Sequence, residues 1–263
     1  DGDTLVYPVD KGSGATTSLV EADGVVEVGP DTDYLAAGET VTVTLFSPDV
    51  RAPTLLGAGE DDPLLSRLLD RVDRPRYLPV GARDGGRRLA DGVTDVAVTS
   101  GPIEAPADAV TIGAWERDWG LAVPGGNPAD VTGLPDLVDS DLRFVNRERG
   151  SGLRASLDAA FDDFAADRDA DRDDLTAAVD GYSRGTKAYE SAARAVANGD
   201  ADAGLCLRAT AAKLGLGYVG VGTETVRVAA APDRAEKPGV RALAAAIEDA
   251  EETPLPGVSR SSY

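Results

Sequence analysis

Asn146-Arg147-Glu148-Arg149-Gly150-Ser151-Gly152-Leu153-Arg154 joins a short strand-like run, Leu142-Arg143-Phe144-Val145, to an amphipathic stretch that reads as a helix over residues 151–166. A strand, a turn of small residues and a helix in that order make one α/β unit. The free N–H groups of the helix start, the Ser151 hydroxyl and the nearby guanidinium groups of Arg147 and Arg149 form a ready site for an oxyanion. Two other readings stay open. Gly150-Ser151-Gly152 can simply cap the helix, with Ser151 as the N-cap oxygen. Gly150, Gly152 and Ala155 also match the dinucleotide pattern G-x-G-x-x-A, although the strand before them is short and polar.

The same junction recurs upstream. Leu55-Leu56 leads through Gly57-Ala58-Gly59-Glu60-Asp61-Asp62 into Pro63, an N-cap followed by proline in the first turn, and Leu64, Leu65, Leu68, Leu69 and Val72 then form an apolar helical stripe. Gly81-Ala82-Arg83-Asp84-Gly85 and Thr99-Ser100-Gly101 follow the next two strand candidates, at residues 77–80 and 95–98. Loops of this kind gather at the carboxyl edge of a parallel sheet, where open α/β sheets bind ligands. Further strands are expected at 109–112, 120–123, 217–221 and 226–228, and helices at 84–91, 186–198, 206–214 and 239–250. Residues 54–263 therefore read as an α/β domain large enough to divide into two lobes. Ahead of it, Leu5-Val6-Tyr7-Pro8-Val9, Gly24-Val25-Val26-Glu27-Val28-Gly29 and Val41-Thr42-Val43-Thr44-Leu45-Phe46 read as strands of a small all-β domain over residues 1–53, with residues 47–53 as the linker.

Composition bounds the function. The chain has 263 residues, 42% of them hydrophobic, and 26 Lys+Arg against 46 Asp+Glu, a formal charge of −20. Duplex nucleic acid and anionic membranes need a basic footprint, and none is visible. No run reaches the roughly 18 apolar residues of a membrane span. Only four of the cations are lysines (Lys11, Lys187, Lys213, Lys237), and this excess of carboxylate suits a protein kept soluble at high salt, as in halophiles. With no histidine and one cysteine, histidine-based triads and zinc sites are excluded, and Cys206, in an apolar run, reads as a small core residue. No metal site is expected. The acidic run 167–174 lacks the spacing and glycine of a calcium loop and reads as a solvated face. Trp115-Glu116-Arg117-Asp118-Trp119 lies between two expected strands, where it either lines a ligand or packs at a lobe boundary. The start at Asp1, without Met or a signal segment, suggests a piece of a longer cytoplasmic protein rather than a secreted one.

Four stretches carry a resemblance: residues 77–85, 115–128, 146–152 and 199–205. In this order they resemble the periplasmic-binding-protein-like domain attached to molybdenum-cofactor proteins and molybdate-linked regulators. That resemblance implies a two-lobed type II fold over 54–263, with one lobe from 54 to about 116 plus 224–263 and the other from about 117 to 223. It also implies hinge crossings near 116–118 and 222–224 and a ligand of molybdate, tungstate or molybdopterin type. Residues 7–19, with 22–24 and 38–43, are similar to the C-terminal β domain of the MoeA family of molybdopterin molybdotransferases. The partners so implied are the N-terminal MoeA-type domains of a longer parent, and self-association stays open.

The ligand would sit between the lobes, held without covalent chemistry or a covalent cofactor by Gly150, Ser151, Gly152 and Arg147 or Arg149, against Asp61, Arg83, Ser100 and Tyr189. Its uptake would serve delivery or sensing. The chain departs from the family where relatives carry histidines: it has Lys187 or Tyr189 at one place and Thr99-Ser100 at the other, which points to a different specificity. Two alternatives differ in class. In one, Ser13, Thr16, Thr17 and Ser18 border a molybdotransferase active site and the chain contributes to catalysis. In the other, the α/β domain is a degenerate binding fold kept as an interaction module.

Overall fold

The computed structural model describes residues 22–36, 39–252 and 255–260, and the chain divides into two compact units, Asp1–Ala52 and Pro53–Tyr263. In the first, β1 (Gly24–Val26) pairs antiparallel with β2 (Val43–Leu45), Gly24 opposite Leu45. The expected strand at 5–9 and the hydroxyl cluster Ser13, Thr16, Thr17 and Ser18 lie outside the described residues.

The second unit begins with β3 (Leu55–Gly59), α1 (Pro63–Leu69), β4 (Pro75–Leu78), α2 (Ala82–Ala90) and β5 (Val96–Ser100). Asp62 caps α1, accepting from the amides of Leu64 at 2.8 Å and Leu65 at 2.9 Å, and Pro63 fills the first turn where no donor is needed. Strand β3 lies between β4 and β5, parallel to both. Two 14-residue strands then dominate the molecule: β6 (Val110–Val123) and β10 (Gly217–Ala230), paired antiparallel along their length with a bulge between Gly220 and Gly222. Between them in sequence come α3 (Leu134–Asp139), β7 (Phe144–Arg147), α4 (Gly152–Asp167), α5 (Arg172–Ala178), β8 (Gly185–Thr186), α6 (Ser191–Ala197), β9 (Ala203–Leu207) and α7 (Arg208–Leu214). After β10, α8 (Pro238–Glu248) and β11 (Val258–Arg260) close the chain, β11 on the middle of β6. The sheet runs β4-β3-β5-β10-β6-β9-β7-β8.

Among the described residues, the two largest hydrophobic cores divide the long strands between them. The first gathers Leu55, Leu65, Leu68, Val98, Trp115, Val226 and Leu243, and the second Trp119, Leu121, Phe144, Leu157, Phe161 and Leu205. We call the surrounding parts the first and second lobes. Trp115 and Trp119, four residues apart on one strand face, thus belong to different cores, and Arg117 stands midway between them on the same buried side.

Several sequence expectations need correction. The strands expected at 109–112 and 120–123 are one strand, as are those at 217–221 and 226–228. The charged Glu116 and Asp118 hide a period-2 alternation that continues straight through them. The helix expected at 206–214 starts at Arg208, because the apolar Cys206 and Leu207 complete β9. That expected at 186–198 starts at Ser191, after the two-residue strand β8. The acidic run is not only a solvated face: Asp171 caps α5 by accepting from the Asp173 amide at 2.7 Å.

Cys206 is fully buried, and burial pushes its thiol up to about 12. The native protein is therefore expected to resist a thiol-specific disulfide reagent at pH 8 and to react stoichiometrically once unfolded. Rapid labelling of the folded chain would contradict this placement.

Candidate functional site

The start of α4 faces the carboxyl ends of β3 and β5, and its anion is the chain's own. Ser151 holds the N-cap position, but its oxygen does not accept from the helix as a capping side chain would; instead its hydroxyl donates to Glu60 Oε1 at 3.0 Å. The Gly152 amide donates to Glu60 Oε2 at 2.8 Å, and the Ala82 amide, at the start of α2, donates to the same oxygen at 3.3 Å. Gly59 makes this reach possible. It adopts φ +140°, and a Cβ there would lie 2.1 Å from the Val98 carbonyl oxygen. Glu60, 1% exposed, therefore leaves β3 already turned toward the second lobe.

Beside it lies a buried ionic cluster centred on Arg117. Its Nη1 donates to Asp62 Oδ2 at 2.8 Å, its Nε and Nη2 grip Glu224 Oε1 at 2.8 and 2.6 Å, and Nη2 also donates to Ser100 Oγ at 3.0 Å. Glu60 Oε1 stands 3.6 Å from the same Nη2. Arg117 and Glu224 are direct cross-strand partners on β6 and β10, and the second Glu224 oxygen accepts from Ser156 of α4. Burial alone would lower the Arg117 pKa, but Glu224, Asp62 and Glu60 outweigh it and raise it. Glu224 is pushed up by burial against the opposing pull of Arg117 and Ser156.

Arg147, at the end of β7, is the exception among the buried charges. It is 1% exposed, yet its Nε and Nη1 have no hydrogen-bond partner. Burial depresses its pKa, while the Glu60 and Asp61 carboxylates pull the other way. Asp61 is pushed up by burial, against an amide hydrogen bond from Tyr189 and the charge of Arg147. Tyr189, whose hydroxyl is raised to about 12 by burial and then by Glu190, lines a groove of about 490 Å³ with Pro63 and Arg67 of the first lobe and Thr210 and Lys213 of α7. Thr210, 1% exposed, also has a buried Oγ1 without a partner. An unpaired buried polar group costs about 1–3 kcal/mol, more when charged, so Arg147 Nε, Arg147 Nη1 and Thr210 Oγ1 are each open to a ligand that would satisfy them.

The structure thus brings Ser151, Gly152, Ser100, Asp61, Tyr189 and Arg147 to one region, with some roles changed. The Ser151 and Gly152 donors are already taken by Glu60, and Ser100 accepts from Arg117. Gly150 offers its carbonyl, which accepts the Arg83 amide at 3.2 Å. The side chains of Arg83 and Arg149 are exposed. Arg83 lines a separate hollow with Arg87 and Pro106, and Arg149 sits on the turn before the helix. Sequence reasoning missed Glu60, Asp62, Glu224 and Thr210 as participants and left Arg117 open between lining a ligand and packing at a lobe boundary. The available signal was alternation: an arginine two residues from each of two core tryptophans faces inward and must find carboxylates.

A family model for the PBP superfamily domain matches residues 72–248. The chain belongs to the PBP superfamily. Solved PBP-like structures share the fold at low identity. Among them are reduced OxyR from N. meningitidis (18% identical, TM-score 0.55, 79% of this chain and 98% of that one) and the effector-binding domain of QuiR in complex with shikimate (13%, TM-score 0.53, 75% and 96%). The sulfate-binding protein SubI from Mycobacterium tuberculosis H37Rv is another (15%, TM-score 0.53, 77% and 82%). Uncharacterized protein YvgK of Bacillus subtilis (strain 168) is 37% identical over 89 residues, which are 34% of this chain and 26% of that protein. Residues 1–46 match a model of the MoeA C-terminal region (domain IV). Within this PBP-superfamily domain, no helix among the described residues is long and apolar enough to cross a membrane.

Proposed function

We propose that the PBP-superfamily domain is a receptor for a small anionic ligand of molybdenum-cofactor chemistry, bound without covalent chemistry beside Arg147, Asp61, Tyr189 and Thr210. The observation that carries this reading is Arg147, a guanidinium 1% exposed with two unpartnered nitrogens. A molybdopterin-type ligand suits the surroundings best. Its phosphate answers Arg147, and the amino-pyrimidinone edge of a pterin offers parallel donors that a carboxylate such as Asp61 accepts. The groove of about 490 Å³ that Tyr189 and Thr210 line, whose walls do not include Arg147 or Asp61, has the size of a ligand pocket rather than of one tetrahedral anion. The MoeA-like match at residues 1–46 supports the same chemistry, and the parent's MoeA-type domains would be the partners in delivery or sensing.

A second reading, free molybdate or tungstate, draws support from the sulfate-binding SubI, which shares the fold. Calorimetric titration with pterin-6-carboxylate, molybdate, tungstate and sulfate separates the two. Binding of the pterin tighter than any inorganic anion, weakened at least about 30-fold by Arg147→Ala, is expected, as for truncating one partner of a buried charge pair. Tight molybdate binding with none of the pterin would transfer the assignment to the free oxyanion. Binding of every probe unchanged in Arg147→Ala would remove Arg147 from the site.

A further inference from the structure

We infer that Glu60 is a specificity-determining residue, a built-in anion that occupies the start of α4 and so excludes small free oxyanions from it. This rests on the reading of the domain as an anion receptor and says which anions that receptor refuses.

The donors around Glu60 are those a ligand would use. Its two oxygens take the Ser151 hydroxyl, the Gly152 amide and the Ala82 amide, which come from the first turns of two helices in different lobes. A carboxylate held by helix-start N–H groups is charge-complementary to the partial positive charge there. The environment is also sealed: Glu60, Ser151 and Ser100 are each at most 1% exposed. A sulfate or molybdate entering at this point meets a fixed negative charge and no free donor on Ser151 or Gly152. Glu60 also does mechanically what a bound ligand does in a two-lobed receptor, since one side chain ties the first lobe to the second. Arg147 Nε and Nη1 have no hydrogen-bond partner while the carboxylate acting most strongly on it, Glu60, makes its hydrogen bonds elsewhere. The division follows from these contacts. Glu60 satisfies the helix start, and a ligand that reaches Arg147 needs its own anionic group there.

The test is to remove the internal anion. Glu60→Ala leaves three donors facing space once filled by a carboxylate. It is expected to gain sulfate binding, seen as a sulfate-dependent rise in melting temperature and a calorimetric signal that the wild type lacks. Added Ser151→Ala is expected to weaken that gain about tenfold or more, and added Arg147→Ala to weaken it less, because Ser151 donates directly to the vacated position while Arg147 acts on it only through its charge. Should Glu60→Ala fold poorly, Glu60→Gln keeps the volume and one acceptor oxygen and is expected to gain less in the same direction. Folded Glu60 variants with no gain in sulfate affinity would overturn the inference, as would wild-type sulfate binding that depends on Ser151. Because this gain is read with sulfate at Ser151, and the pterin assignment with pterin-6-carboxylate at Arg147, the two can fail separately.

Discussion

Arg117→Ala is expected to destabilise the protein by about 3–5 kcal/mol, the effect of removing one partner from a buried ionic cluster. The residue is 1% exposed and its guanidinium serves Asp62, Glu224 and Ser100 at 2.6–3.0 Å. Its loss leaves at least two buried carboxylates without a cation. Arg117→Lys keeps the charge but not the planar fork that reaches several acceptors at once, so an intermediate loss is expected. The deficit is also pH-dependent. Glu224 already sits above its ordinary value of 4.5 because of burial, and without Arg117 the pull that lowers it is gone. A carboxyl whose folded pKa exceeds the unfolded one favours folding below the unfolded value and loses that contribution as pH rises through the folded one. Denaturant titration of Arg117→Ala should therefore show a smaller deficit at pH 5 than at pH 8. A deficit below about 1 kcal/mol, or one that grows on acidification, would show that the cluster does not hold the strands.

Gly152→Ala is expected to destabilise by about 1–3 kcal/mol, although helix propensity alone predicts a gain of up to about 1 kcal/mol. Sterics decide the sign. A Cβ at residue 152 would lie 2.0 Å from Ser100 Oγ and 2.6 Å from the Ser100 carbonyl oxygen, and the backbone atom cannot rotate away. Relief requires the start of α4 to withdraw from the end of β5, lengthening the 2.8 Å bond from the Gly152 amide to Glu60. A lower melting temperature with a larger radius of gyration by small-angle scattering is expected. Unchanged or raised stability would mean that the two lobes are not pressed together at this point.

The α/β order, the Asp62 cap and the strand–turn–helix junction at residues 144–152 were legible in the sequence because each depends on neighbours a few residues away. The joining of 109–112 to 120–123 was not, because Glu116 and Asp118 supply the polar texture of a loop while pointing away from the core. That the α4 start presents a hydroxyl and an amide to a negative group was legible too. What no local pattern announces is that the anion is Glu60, 91 residues from Ser151, since only the sheet order brings the end of β3 to the start of α4. Arg147 and Arg149 look alike in sequence. The first is the last residue of a buried strand and the second lies on an exposed turn, and that difference makes one an internal cation with two unbonded nitrogens and the other a surface charge.

The most direct measurement is the affinity for pterin-6-carboxylate of Arg147→Ala and Ser151→Ala side by side with the wild type. A loss of at least about 30-fold in Arg147→Ala, with Ser151→Ala within about threefold of wild type, is the expected result, because the Ser151 hydroxyl is hydrogen-bonded to Glu60 while Arg147 Nε and Nη1 have no hydrogen-bond partner. The opposite pattern, with affinity lost in Ser151→Ala and kept in Arg147→Ala, would contradict it and return the ligand to the start of α4.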